Sequence, residues 1–180
     1  RRVQIRSKTL LDGQSLIECD FSANHPYMLA RLTGSDFHPS FYQVIADASH
    51  SSRAEVKSVI TAALGCSSPN KAHEVRYELV RKGISTDSVS SIISAAIATY
   101  PWLEDHNILF ANKGVYMQWL EGEIAMKMFT YAVQEGIPMV NIHDAYAVNV
   151  AHEAQVKRRM NIAREEVLEA YKSIYNSINC

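Results

Sequence analysis

Two short segments hold residue types that can do chemistry. Glu18-Cys19-Asp20-Phe21 near the start and Ile142-His143-Asp144-Ala145 near the end each set an acidic residue at the edge of an apolar, strand-like run, and the two aspartates lie 124 positions apart. Asp20 and Asp144 arriving from two strands would form a magnesium site, because hard cations take oxygen ligands and Mg²⁺ keeps waters and substrate phosphates as its remaining ligands. Phosphoryl or nucleotidyl transfer is the chemistry such a pair supports. Read singly, Asp20 is a strand-end turn or a helix cap. The pair changes the balance, since Asp144 stands between two apolar runs, where an unpaired charge is costly.

The elements that must position these residues follow from patterning. Ser15 to Phe21 reads as a strand behind the Asp12-Gly13 turn signal. A helix after Pro26 carries Met28, Leu29 and Leu32 and ends near Gly34. Arg53 to Leu64 repeats Val56, Val59, Ile60 and Ala63 at helical spacing, with Gly65 as its stop and with Arg53 and Lys57 one turn apart on the polar face. Helices over Ala72 to Lys82 and Thr86 to Tyr100 follow, the second stopped by Pro101. Gly114 to Gln134 shows a stripe of Tyr116, Leu120, Ile124, Met128 and Tyr131, which is core packing. Pro138 to His143 and Tyr146 to Val150 read as a hairpin turning at His143-Asp144. A last helix, His152 to Ile178, repeats Val156, Met160, Ala163, Val167, Tyr171 and Ile174. The expected architecture is α+β: one domain over residues 1–180, a small antiparallel sheet packed against several helices, with a helical insert at residues 50–105.

The order of these pieces resembles the palm and fingers core of family A DNA polymerases, and more closely the short polymerase-like proteins of bacteria and mobile elements. The likeness rests on a strand ending in Asp20-Phe21-Ser22, a helix with Arg53 and Lys57, a helix with Gln118 and Glu121, and a hairpin with Ile142-His143-Asp144. It runs from about Arg1 to Met160. The resemblance implies that Asp20, Asp144 and the Phe21 carbonyl hold two Mg²⁺ (or Mn²⁺) ions, and that Arg53 and Lys57 face an incoming nucleoside triphosphate. It further implies that His143 contacts the primer terminus, that Gln118 lies near the minor groove of a primer-template nucleic acid, and that His25 lies near the nucleotide sugar. Three positions depart from the family pattern. His25 stands where a Glu often shields the sugar 2′ position, Ala145 replaces an acidic residue after the metal Asp, and Thr61 replaces an aromatic one turn after the Lys.

Without the resemblance, Arg53 and Lys57 are a solvated helix face, Gln118 and Glu121 a helix surface, and His143 a hydrogen-bonded structural histidine. A metal-dependent phosphohydrolase ranks below the polymerase because the flanks of His143-Asp144 are strand-like and no H-E-x-x-H pairing occurs. A palm-like module that binds nucleic acid or protein without turnover is the third reading, drawing on Lys157-Arg158-Arg159 and on Arg1, Arg2, Arg6 and Lys8. Neither a dinucleotide nor a kinase-type phosphate loop is present.

Composition allows these chemistries without selecting one. The 180 residues are 47% hydrophobic and 21% charged, with a net charge of −1, so no global field draws the chain to nucleic acid. Cys19, Cys66 and Cys180 form no C-x-x-C pair, which suits a reducing, cytoplasmic setting. No apolar run approaches the roughly 20 residues that span a bilayer.

Overall fold

The computed structural model describes residues 10–11 and 13–179. The chain forms two compact units: one takes the described residues up to Ser22 together with Trp119–Tyr171, the other Ala23–Gln118 and the residues from Lys172 onward. The expected insert, residues 50–105, falls wholly within the second unit. The calls on Arg1, Arg2, Arg6, Lys8, Asp12 and Cys180 lie outside the described residues.

The first unit carries the sheet. Strands β1 (Leu10–Leu11), β2 (Gln14–Cys19), β3 (Met139–Ile142) and β4 (Ala145–Asn149) lie in the order β1-β2-β4-β3, all antiparallel. β4 is central and buried from Ala145 to Val148, as a strand bonded on both edges and covered by helices should be. Its turn with β3 is the two residues His143-Asp144, with Ile142 facing Ala145. Two-residue hairpins need left-handed backbone, and His143 supplies it at φ 60°. The Asn141 amide braces the turn by donating to the carbonyls of His143 and Ala145, at 2.9 and 3.3 Å. The strand expected over Ser15 to Phe21 stops at Cys19, which places Asp20 and Phe21 just past its end.

The second unit is helical: α1 (Asn24–Thr33), α2 (Phe41–Ser49), α3 (Arg53–Gly65), α4 (Ala72–Arg81), α5 (Thr86–Thr99) and the single turn α6 (Trp102–Asp105). α1 begins before Pro26, which is tolerated because the first helical turn has no intrahelical acceptor to lose. α3 opens on a capping box: Ser52 Oγ accepts from Glu55 N–H while a Glu55 carboxylate oxygen accepts from Ser52 N–H. α2 has no counterpart among the expected elements, yet Phe41, Tyr42, Ile45, Ala46 and Ser49 are all buried at helical spacing.

Two long helices, α7 (Lys113–Glu135) and α8 (Glu153–Asn179), complete the chain. In the sheet-bearing unit they bury Leu120, Ile124 and Met128, and Val156, Met160, Ala163 and Val167. These are the stripes that periodicity marked. Ile174, expected on the same stripe, is instead exposed.

The entry into α7 is held by the end of α3. Phe110 and Asn112, both in left-handed backbone, donate their N–H groups to the carbonyls of Ala63 and Cys66, at 2.8 Å each. Carbonyls at a helix end lack intrahelical donors, so the loop closes that account and brings Gly114 onto Gly65. A Cβ at Gly114 would lie 3.1 Å from Gly65 Cα and 3.3 Å from Leu64 O, both backbone atoms that have little freedom to yield. Gly114→Ala should therefore destabilise by about 1–3 kcal/mol. Gly122→Ala, with open space around the new methyl in the interior of the same helix, should stabilise by about 0.5–1 kcal/mol. Urea unfolding of the two variants against the parent reads both signs; equal shifts would remove the close-approach argument.

Candidate metal centre at the end of the sheet

The register of β2 on β4 decides what meets here. Cys19 faces Tyr146 as the last pair of the register, so Asp20 follows just past the end of β2, at the end of the sheet where the β3–β4 turn holds Asp144. The two segments that sequence singled out thus end at the same edge of adjacent strands. Asp20 is exposed and Asp144 half-buried.

Tyr146, which pairs with Cys19 and follows Asp144 by two residues, is only 1% exposed. Its phenol is pushed well above the ordinary tyrosine value, first by burial and then by the negative charges of Glu121 and Asp144. Those contributions place Glu121, from α7, and Asp144 in the neighbourhood of one buried hydroxyl. Phe21 packs beneath a cation: the Arg164 guanidinium stands 4.5 Å over its ring. Arg164 is itself 8% exposed and donates from Nη2 to Asn161 Oδ1 at 3.0 Å. Behind the site Cys19 is fully buried, and burial raises its thiol pKa.

The other expected site residues are placed as follows. His143 is exposed at the hairpin turn, in the same unit as the aspartates. Arg53 and Lys57 are exposed on α3, His25 is half-buried in the first turn of α1, and Gln118 is exposed on α7; all four belong to the helical unit. The Arg53 guanidinium sits 5.8 Å over the Tyr42 ring. Within the basic run on α8, Lys157 pairs with Glu153 at 2.6 Å and Arg159 with Glu166 at 3.0 Å, and Glu166 also takes Lys127 at 2.9 Å. Lys157 and Arg159 of that run are thus engaged by carboxylates of their own helix.

Among the described residues no cluster of three or more His, Cys, Asp or Glu side chains is arranged to hold a metal ion. The donors that the sheet end offers are carboxylate oxygens, which suit Mg²⁺ or Mn²⁺, and such ions take as few as one or two protein carboxylates when substrate phosphates complete the shell. Arg164 escaped the sequence reading. Its signal was its place: it continues the buried spacing from Met160 and sits beside Ala163, where an arginine is out of pattern.

Comparison with known proteins gives no match to the chain by family model, by curated sequence or by solved structure. None of the described helices is long and apolar enough to cross a membrane.

The Tyr146 environment makes a pH prediction. A phenol whose pKa is raised in the folded state binds its proton more tightly there than in the unfolded chain. Its contribution is complete below the unfolded value of about 10 and is lost as pH rises through that value toward the folded one. Stability should therefore be level from neutral pH to about 9 and fall above about 10. Tyr175, pushed up to about 12 by burial, adds to the same fall. Tyr146→Phe should make the alkaline decline shallower. Urea midpoints from pH 7 to 11 in parent and variant measure it, and parallel curves would show that Tyr146 does not titrate on unfolding.

Proposed function

We propose that the chain carries out template-directed nucleotidyl transfer from a palm-like sheet, with Asp20 and Asp144 holding divalent cations. The observation that carries this reading is the β2–β4 register, which puts the end of the Asp20 strand beside the Asp144 turn. Magnesium bound there would lower the pKa of an attacking 3′-hydroxyl and neutralise charge on the departing pyrophosphate. The chain's own parts have separate tasks. Asp20, Asp144 and the Phe21 carbonyl supply hard oxygen donors, and Arg164, stacked on Phe21, fixes the segment that bears Asp20. His143, exposed at the turn, is the residue proposed to contact a primer end. Arg53 and Lys57 are the cationic donors proposed for a triphosphate, His25 the residue proposed for the sugar, and Gln118 the one proposed for the template-primer.

A second reading, a palm-like module that binds nucleic acid without turnover, takes its support from Ala145. This residue is 6% exposed directly after Asp144, where the polymerase pattern would place a third carboxylate.

Primer extension on a DNA template, with Mg²⁺ and separately with Mn²⁺, distinguishes the two. The parent should extend and Asp20→Ala should not. Asp144→Asn should weaken Mn²⁺ binding by more than about tenfold, yet keep or raise thermal stability without metal, because it removes repulsion between neighbouring carboxylates. Salt-sensitive DNA binding of parent and Asp20→Ala alike, with no extension by either, would select the binding module. An Asp144→Asn protein that unfolds while the parent shows no metal binding would make Asp144 structural.

A further inference from the structure

Helix α7 is apolar on two faces, and the fold of the sheet-bearing unit covers one of them. Leu120, Ile124, Met128 and Ala132 are buried. Trp119, Gly122, Met126, Phe129 and Val133 recur at alternating intervals of three and four residues, and at 3.6 residues per turn they centre about 160° away round the helix. All five are exposed, Met126 at 64% and Val133 at 82%. A helix that is apolar all round is ordinarily buried all round. The mean repeat of the outer row, about 3.5 residues, is the period of a seam between two helices.

The chemistry of the row narrows what can cover it. None of its five positions carries a charge. Glu123 and Lys127, on its flank, are engaged within the unit: Glu123 accepts from the Tyr171 hydroxyl at 3.1 Å and Lys127 pairs with Glu166 at 2.9 Å. A nucleic-acid backbone or an anionic lipid surface is met by cations on the docking face, and this row presents none. Trp119 is held as an anchor by edge-on packing against Tyr171, ring centres 4.7 Å apart. Aromatic side chains, a methionine and no charge make the composition of an interface core.

The row also matches itself when reversed. In an antiparallel two-fold pairing of α7 with α7, centred at the level of Ile124, Trp119 faces the partner's Phe129 and Gly122 faces the partner's Met126, and the symmetry repeats both pairs. Gly122 has open space above it in the single chain, so it is the hole that a long, flexible methionine fills. The exposed side chains of the row offer roughly 500 Å² per copy, or roughly 1,000 Å² for the pair, which is what a specific interface needs. We propose that α7 is the interface of a homodimer in which two copies of the chain pack antiparallel along Trp119–Val133. The inference rests on α7 and does not require nucleotidyl transfer at Asp20 and Asp144.

Sedimentation equilibrium of the full chain, from about 1 to about 200 μM, tests it. The expected result is a mass that rises to twice that of the chain within this range, in Asp20→Ala as in the parent. Met126→Lys should raise the dissociation constant by about 100-fold and leave the melting temperature of the dilute protein unchanged, because Met126 lies on the surface of the single chain. Trp119→Lys and Phe129→Glu, each impaired alone, should associate when mixed: the antiparallel seam then sets lysine opposite glutamate in one layer and keeps the aromatic pair in the other. Circular dichroism checks that each variant is folded, and Met126→Lys decides the matter by itself if Trp119→Lys is not. The proposal is overturned by a single-chain mass at every concentration, by a dimer that Met126→Lys leaves intact, or by folded Trp119→Lys and Phe129→Glu proteins that stay apart when mixed. A single chain that binds phosphatidylcholine vesicles, and loses that binding with Met126→Lys, would overturn it by giving this face to a lipid surface.

Discussion

The pairing of β2 with β4 is the constraint on which the sheet-bearing unit rests. It joins Cys19 to Tyr146 across most of the chain, and closing so long a loop costs entropy that grows only logarithmically with length. The register itself is fixed by burial. Cys19 is fully buried while its neighbour Glu18 is exposed, and a slip of one residue would exchange their faces, forcing a carboxylate into the core. The same slip would carry Asp20 away from the Asp144 turn. Packing and the juxtaposition of the two aspartates therefore depend on a single choice of register.

That juxtaposition brings an electrostatic cost of its own. Tyr146 is buried with Glu121 and Asp144 contributing negative potential at its hydroxyl, so the sheet end concentrates acidic charge beside an apolar core. A neutral phenol withstands this better than a third carboxylate would, since only the charged form suffers from desolvation. Arg164, in the same unit, lies over the Phe21 ring. Its burial is made tolerable by stacking on that ring and by the bond to Asn161, because a buried cation needs both contact and hydrogen bonds.

Much of this was legible in the sequence, unevenly and for physical reasons. The hairpin was readable because two apolar runs flank a two-residue turn, and α3, α4, α5, α7 and α8 were readable from 3.6-residue spacing and stop residues. α2 was not assigned, although its buried positions are helical, because Phe41, Tyr42 and Ile45 are aromatic or β-branched and the segment lacks a capping box to mark its start. Convergence of Asp20 and Asp144 could be suggested from their flanks, but no periodicity reveals which strand pairs with which. Arg164 was missed because its place over Phe21 arises from a tertiary neighbour that local pattern does not encode. The division at Ser22 and Gln118 likewise has no linker composition to announce it.

The cations of the two units are held in different ways. Lys157 and Arg159 are tied to Glu153 and Glu166. Exposed pairs of this kind contribute little to stability, but they do lower the positive potential that a nucleic-acid backbone would meet along α8. On α3 the arrangement differs. Arg53 rests over the Tyr42 ring, and a guanidinium held by its face keeps its N–H edge for an anion. Lys57 lies one turn along the same helix, so the two exposed cations share one face of it rather than forming a broad basic field. The chain as a whole has a net charge of −1, so positive potential on it is a matter of local geometry and not of an overall field.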